Sequence, residues 1–147
     1  MRIVITDGGR KAAGFKGKAG DCVCRSIAIV TGLPYQQVYD RLAHGNGSQR
    51  ASKRTPKRGV TASNGINTNR KWFDDYMAEL GFVWTPTMHI GAGTTMHLTY
   101  EEIPDLPLFV ARISRSLVTV VNGVVQDIAD PSRDGTRAVY GYFRPHF

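Results

Sequence analysis

The sequence predicts an α+β protein in which an N-terminal helical half packs on an antiparallel β-sheet. Apolar residues recur at helical spacing in three segments between residues 21 and 81. The last third of the chain instead holds two β-branched runs joined by Asn-Gly, which is typical of a β-hairpin. With 147 residues, of which 41% are apolar and 21% charged, the chain is long enough for one domain with a sizeable core.

Helix starts and stops are predicted from capping residues and from helix breakers. Asp21 can cap a helix whose apolar side chains recur at i, i+4 and i+7, and Gly32 ends that helix. Pro34 suits the first turn of a second helix, which is predicted to end at Gly45. The predicted elements are a strand at 2–6, helices at 22–31, 34–45 and from 67 or 68 to 80, strands beginning at 82 and spanning 109–113 and 139–143, and a hairpin at 117–128.

The hairpin signal also predicts which side chains lie opposite each other. A two-residue Asn-Gly loop favours a type I′ turn in which Val121 opposes Val124. Continuing that register puts Ser116 and Asp127 on one otherwise apolar face, with Asp127 diagonally within reach of position 116. In a cysteine hydrolase, such a pair of positions would hold the general base and the acid that orients it.

The net charge of +7 depends largely on one segment. Residues 50–58 hold five basic residues and no acid, and the 14 basic and 12 acidic residues elsewhere nearly balance. We expect this segment to lie in a mobile insertion at about 44–65, either as a solvated loop or as a surface for non-specific, salt-sensitive nucleic-acid binding. The candidate phosphate-binding residues are Arg50, Lys53, Arg54, Lys57 and Arg58.

Cys22 and Cys24 are the two cysteines of the chain. Their spacing is too tight for an ordinary disulfide and too sparse for a four-ligand zinc site, so we expect reduced thiols, no metal and no cofactor. Cys22 opens the first helix, where backbone amides and the helix dipole favour a thiolate. Position alone equally allows Cys22 to be a small core residue. Cys24 points to another side of the helix and is predicted to be a structural thiol.

These features together resemble the papain-like cysteine peptidases, in particular a small group of bacteriophage and bacterial proteins of that fold. The chemistry-bearing part of the resemblance is Gly20-Asp21-Cys22 at a helix start, followed far downstream by the hairpin and its Asp127. It extends over most of the chain, including Asp7-Gly8-Gly9, Pro34 to Tyr39, Gly65-Ile66-Asn67 and Asp130 to Arg137.

The resemblance implies a role for each site residue. Cys22 is the nucleophile, position 116 the general base, and Asp127 or Asp130 the acid that orients the base. The relatives carry histidine at position 116, where this chain has Ser116, which cannot hold a proton taken from a thiol near neutral pH.

Two further positions bear on this departure from the family pattern. The glutamine that papain-like enzymes often use for the oxyanion hole would lie at position 16, which is Lys16, so a hole made of amides alone is the alternative. His97, or less favourably His89, is the candidate replacement base.

Three functions follow as alternatives. The first is a cysteine peptidase or amidase that acts through Cys22 on an amide or thioester bond. The second is a degenerate relative that keeps its cleft to bind a protein partner, and the third is a basic accessory protein that engages nucleic acid through residues 50–58. The apolar stretches are too short for a membrane span and the N-terminus lacks a signal peptide, so we expect a cytoplasmic protein, in the bacterial host cell if a phage encodes it.

Overall fold

The structure is a computed structural model, and the residues it describes form three helices and eight strands. It describes residues 2–15, 21–48, 66, 68, 70–89, 93–94, 96–114, 116–133 and 135–146. The helices are α1 (Cys22–Thr31), α2 (Tyr35–Ser48) and α3 (Lys71–Glu79). The strands are β1 (Ile3–Ile5), β2 (Phe82–Pro86), β3 (Met88–His89), β4 (Gly93–Thr94), β5 (Leu108–Ile113), β6 (Ser116–Val121), β7 (Val124–Asp127) and β8 (Val139–Pro145).

Six of the strands form one mixed sheet in the order β1-β7-β6-β5-β8-β2, and β3 and β4 pair with each other. The chain is therefore of the α+β class, as the sequence predicts. The prediction of a purely antiparallel sheet is wrong at one edge, because β1 pairs in parallel with β7, with Ile3 opposite Val125. A parallel partner this far along the chain leaves no local signal in the sequence.

Both faces of the large sheet are covered by apolar side chains. The three helices pack on one face, where Val110, Leu117 and Phe143 of the sheet join their core cluster. On the opposite face, inward side chains of β5, β6 and β7 pack beneath Leu98 and the segment that follows it. Consecutive residues of β5 and β6 are buried, because their side chains point alternately into two separate cores, one on each side of the sheet.

Helix α1 has the bounds that the sequence predicts, and it ends at Gly32 in the left-handed conformation (φ 73°). Two hydrogen bonds fasten it to the sheet. The hydroxyl of Ser26 donates to the carbonyl of Leu117 at 2.8 Å, and the hydroxyl of Thr119 donates to the carbonyl of Ser26 at 2.7 Å. These bonds satisfy polar groups that the helix buries against β6.

The predicted hairpin is confirmed over β6 and β7. Val121 lies opposite Val124, and the two turn residues have positive φ, 49° at Asn122 and 77° at Gly123, as a type I′ turn requires.

Helix α2 is longer than the sequence predicts. It continues through Gly45 to Ser48, so the prediction of a mobile insertion beginning at residue 44 is wrong for residues 44–48. The physical reason is packing: the ring of Trp72 lies against Gly45 so closely that a Cβ there would come within 2.3 Å of a ring carbon. Gly45 therefore permits contact with α3 instead of ending its helix. The rest of the predicted insertion falls outside the described residues.

Helix α3 begins a few residues later than predicted, at Lys71 after Arg70. Its predicted apolar face is confirmed, since Phe73, Tyr76 and Met77 are buried in the helical core. No helix in the described part of the chain has the length and apolar character that crossing a membrane demands.

Candidate active site around Cys22

The residue before α1 belongs to a buried ionic network. The carboxylate of Asp21 does not cap the helix, contrary to the role that the sequence suggests for it. It instead lies 3.0 Å from Nε of Arg25 and 3.3 Å from Nε of Arg10, and it accepts a hydrogen bond from the hydroxyl of Tyr35. Only the backbone carbonyl of Asp21 serves the helix, by accepting from the amide of Arg25 at 3.0 Å.

Arg25 extends this network to the sheet. Its Nη1 lies 2.5 Å from a carboxylate oxygen of Asp127, the last residue of β7. The Arg25 side chain is 6% exposed, so both of its ion pairs are shielded from water. We call Asp21, Arg25 and Asp127, with Arg10 and Tyr35, the Arg25 network. It ties the start of α1 to the hairpin, to α2 and to the N-terminal loop.

The expected position of Asp127 therefore needs correction. Val118, Val120 and Val125 share one apolar face as predicted, but the Asp127 carboxylate reaches Arg25 on the helix that covers the other face. Asp127 ends its strand, so the alternation along β7 no longer fixes its direction. The amide of Ile128 also donates to it at 2.7 Å. The carboxylate that was expected to orient a base at position 116 is thus bound by Arg25.

The two cysteines have different surroundings. Cys22 is the first residue of α1 and is partly exposed, whereas Cys24 is fully buried. The thiol of Cys24 donates to the carbonyl of Tyr35 at 3.9 Å, and burial raises the pKa of Cys24 to about 12. Cys24 has the environment expected of a structural thiol, and Cys22 is the accessible one.

The contacts of α1 locate Cys22 relative to β6. Cys22 lies four residues before Ser26, whose hydroxyl is fixed to the carbonyl of Leu117, so the two residues are about 6 Å apart along the helix axis. The hydroxyl of Thr119, two residues further along β6, donates to the carbonyl of Ser26, so α1 runs along β6 in the direction from Leu117 to Thr119. These anchors place Cys22 at the end of β6 that begins with Ser116.

Ser116 itself is half-buried at this end of the strand. Its hydroxyl donates to the carbonyl of the next residue, Leu117, at 3.3 Å. A serine hydroxyl is both donor and acceptor but does not hold a transferred proton at neutral pH, so Ser116 cannot act as the base that the resemblance places here.

The proposed replacement base, His97, has a partner of its own. Its Nδ1 lies 3.0 Å from a carboxylate oxygen of Glu102, and the same carboxylate accepts from its amide at 3.2 Å. The backbone of His97 bridges to Ala138, next to Arg137. The side chain of His89, the other alternative, lies outside what the structure describes.

Asp130, the alternative orienting acid, is a turn residue. Its carboxylate accepts from the amide of Ser132 at 2.9 Å, and this hydrogen bond lowers the pKa of Asp130. Arg133 and Gly135 in the same turn have positive φ, 51° and 80°. Asp130 is exposed and shapes the chain before β8, as the Asp-Pro and Gly residues of this segment predict.

Sequence reasoning did not single out Arg137. Its amide donates to the carbonyl of Ser132 at 2.9 Å, and its carbonyl accepts from the amide of Leu98 at 2.7 Å, so its backbone is held from two sides. Its Nε is buried and has no hydrogen-bond acceptor among the described residues. Burial is the main cause of a lowered pKa of Arg137, which Arg133 lowers further and Tyr140 and Cys22 raise. One arginine among 19 basic residues carries no signal in the sequence that would have identified it.

The remaining predictions concern metal binding and nucleic-acid binding. Within the described ranges, no group of three or more histidine, cysteine or acidic side chains is arranged to hold a metal ion. The five candidate phosphate-binding residues of 50–58 all lie outside the described residues, so nucleic-acid binding stays a prediction.

The chain was compared with known proteins in three ways. No protein-family model matches it, and neither a curated protein nor a solved structure is significantly similar to it. These comparisons therefore do not bear on the resemblance to papain-like peptidases, which rests on the sequence motifs alone.

Proposed function

We propose that the protein is a papain-like cysteine hydrolase of the peptidase or amidase type, with Cys22 as its nucleophile and with proton transfer impaired by Ser116. The observation that carries this proposal is the position of Cys22. It is the partly exposed first residue of α1 and lies towards the start of β6.

The residues on both sides of Cys22 are held in place by side-chain contacts, which supports its role as a nucleophile. The Arg25 network fixes the residue before it, and the two hydrogen bonds between Ser26 and β6 fix the following turn. A nucleophile acts efficiently when it is held within reach of the reacting carbonyl, because no further ordering is then needed in the transition state. The buried part of Cys22 packs against the helical core, and the rest of the residue is exposed.

A second candidate function is a protein that binds a partner at the same cleft without catalysis. Two contacts favour it: the Ser116 hydroxyl is bonded to the Leu117 carbonyl, and Asp127 is bound to Arg25. Neither the expected base nor its orienting acid is therefore available in the roles that the resemblance implies. The two candidates differ in whether Cys22 reacts.

The test is alkylation of the native protein by iodoacetamide between pH 6 and pH 9, read by peptide mass spectrometry. We expect Cys22 to be alkylated at least about tenfold faster than Cys24 throughout this range, because Cys22 is accessible while burial keeps Cys24 protonated up to about pH 12. Cys24 serves as the internal control in every sample. Alkylation of Cys22 only after unfolding in urea would reject the hydrolase and leave the partner-binding candidate.

A further inference from the structure

A cavity of about 500 Å³ lies between α3 and the strands β2, β5 and β8. Its lining residues include three aromatic and two charged ones: Phe82, Trp84, Phe143, Asp74 and Arg112. These residues differ from those around Cys22. The cavity is therefore a candidate ligand site whose occupancy does not depend on the reactivity of Cys22.

The aromatic wall of the cavity is built around Trp84. Trp84 lies directly opposite Phe143 in the sheet, and their ring centroids are 4.8 Å apart. The indole also lies against Gly141, where a Cβ would come within 2.3 Å of a ring carbon. Gly141 thus leaves the space that the indole occupies on this face of the sheet. Phe82 and Phe143 belong to the helical core, so the wall is continuous with that core.

The two charged residues come from different elements. Arg112 of β5 places its guanidinium carbon 5.3 Å from the centroid of the Trp84 ring, which is within the range of a cation–π contact. Asp74 lies in the first turn of α3, and its carboxylate forms no ion pair or hydrogen bond with any residue that the structure describes. Partial desolvation raises the pKa of Asp74, and the charge of Arg112 lowers it in part.

We propose that this cavity binds a free α-amino acid with an aromatic side chain. The ammonium group of the ligand pairs with Asp74, its carboxylate pairs with Arg112, and its ring lies against Trp84. The inference goes beyond the proposed function, because it requires no reaction at Cys22.

Charge complementarity selects a ligand with both charges. A carboxylate without an amine would bring a second negative charge towards Asp74, and an amine without a carboxylate would bring a second positive charge towards Arg112. An α-amino acid carries an ammonium and a carboxylate on the same carbon atom, so one ligand compensates both side chains. A residue inside a peptide chain carries neither charge and is a poor match.

The aromatic wall and the volume select the side chain of the ligand. Cavities of roughly 300–1,000 Å³ hold small molecules, and the volume here lies in the lower half of that range. A ring that packs on Trp84 buries apolar surface and adds the attraction between two aromatic groups. Alanine carries the same two charges without a ring, so we expect it to bind at least about tenfold more weakly than phenylalanine.

The test is a titration of the full chain at neutral pH with L-phenylalanine up to about 10 mM, because ligands of this size commonly bind in the millimolar range. The readout is the indole N–H signals of Trp84 and Trp72, the two tryptophans of the chain, in proton–nitrogen correlation spectra. Trp72 packs against Gly45 and is the internal control, and Trp72→Phe assigns the two signals. We expect the Trp84 signal to shift to saturation and the Trp72 signal to stay in place.

Two ligand analogues and two variants separate the charges. Phenylpropionate lacks the ammonium group and phenylethylamine lacks the carboxylate, so each should bind at least about tenfold more weakly than phenylalanine. Asp74→Asn should weaken phenylalanine by about tenfold but bind phenylpropionate as tightly as the wild type or more tightly. Arg112→Gln should weaken phenylalanine in the same way and bind phenylethylamine as tightly as the wild type or more tightly.

The matched control is Asp75→Asn, which removes the neighbouring acid that pairs with Lys71 and should leave phenylalanine binding unchanged. Thermal melting verifies the fold of each variant, and the comparison of the three ligands on the wild type needs no variant.

Three results would overturn the inference. They are a Trp84 signal that does not shift with phenylalanine, equal affinities for phenylalanine and its two analogues, and an Asp74→Asn protein that binds phenylalanine as tightly as Asp75→Asn. Each of them leaves the alkylation of Cys22 unaffected, so failure of this inference is distinguishable from failure of the proposed function.

Discussion

The first turn of α1 has two sides that differ in how their charges are used. On one side the Arg25 network pairs Asp21 and Asp127 with a buried arginine, and Tyr35 adds a hydrogen bond. On the other side Cys22 is partly exposed, Ser116 bonds to its neighbouring carbonyl, and Arg137 keeps a donor without an acceptor among the described residues. The first side is closed by buried ion pairs, whereas the second is partly exposed.

This difference explains why the carboxylate of Asp127 does not form a pair with a base at position 116. Asp127 lies close to the position that the resemblance gives the orienting acid, yet its partner is Arg25 and not a base. A buried arginine with two carboxylates satisfies all three groups, and releasing Asp127 would leave a buried charge uncompensated. The network thus fixes the residue before Cys22, and its carboxylates are paired with arginine and not with a base at position 116.

The largest effect should come from breaking the closed side. Arg25→Met removes the cation between two carboxylates whose side chains are 1% and 15% exposed. Because Asp127 loses its cation and Asp21 keeps only Arg10, we expect the free energy of unfolding to fall by about 3–5 kcal/mol, measured by urea denaturation monitored by circular dichroism. Lys71→Met is the matched control, since its i,i+4 pair with Asp75 is exposed and should be worth below about 0.5 kcal/mol.

Equal destabilisation by Arg25→Met and Lys71→Met would contradict the account of the closed side. In that case the contacts of Arg25 would contribute no more than a surface ion pair. The assignment of Asp127 to structure would then lose its support, and its role as an orienting acid would need a direct test.

A smaller effect should follow from removing a single hydrogen bond of the network. Tyr35→Phe deletes the hydroxyl that donates to Asp21 and keeps the ring, which packs 5.0 Å from Phe15. The buried carboxylate loses one donor, so we expect a loss of about 1–3 kcal/mol by the same denaturation. Tyr100→Phe alters a ring that is 69% exposed and should change stability by less than about 0.5 kcal/mol. A Tyr35→Phe protein as stable as Tyr100→Phe would show that the hydroxyl contributes nothing to the network.

Local signals allowed much of the fold to be predicted. The bounds of α1 follow from its apolar spacing and Gly32, and the register of the hairpin follows from Asn122-Gly123, because neighbours in sequence decide both. The prediction that α2 ends at Gly45 is wrong because the residue that packs against Gly45, Trp72, lies in another helix. Parallel pairing of β1 with β7 was missed for the same reason, since the two strands lie at opposite ends of the sequence.

The candidate site was predictable only in part. A cysteine that opens a helix is visible in the sequence, and α1 does begin at Cys22. The partner of Asp127 and the position of Arg137 depend on long-range packing between α1, β7 and the turn before β8. Charged residues have many alternative partners, so pattern alone does not select the pair that the fold brings together.

The proposal that Cys22 is a nucleophile without a general base is tested most directly by the Ser116→His variant. The measurement is its rate of amide hydrolysis. General acid and base catalysis commonly contributes 10²–10⁴-fold, so we expect hydrolysis of the benzylamide of benzoylglycine to rise at least about 100-fold over Ser116→Ala. Adding Cys22→Ala should abolish the gain. A folded Ser116→His protein in which iodoacetamide alkylates Cys22, but which cleaves the amide no faster than Ser116→Ala, would contradict the account.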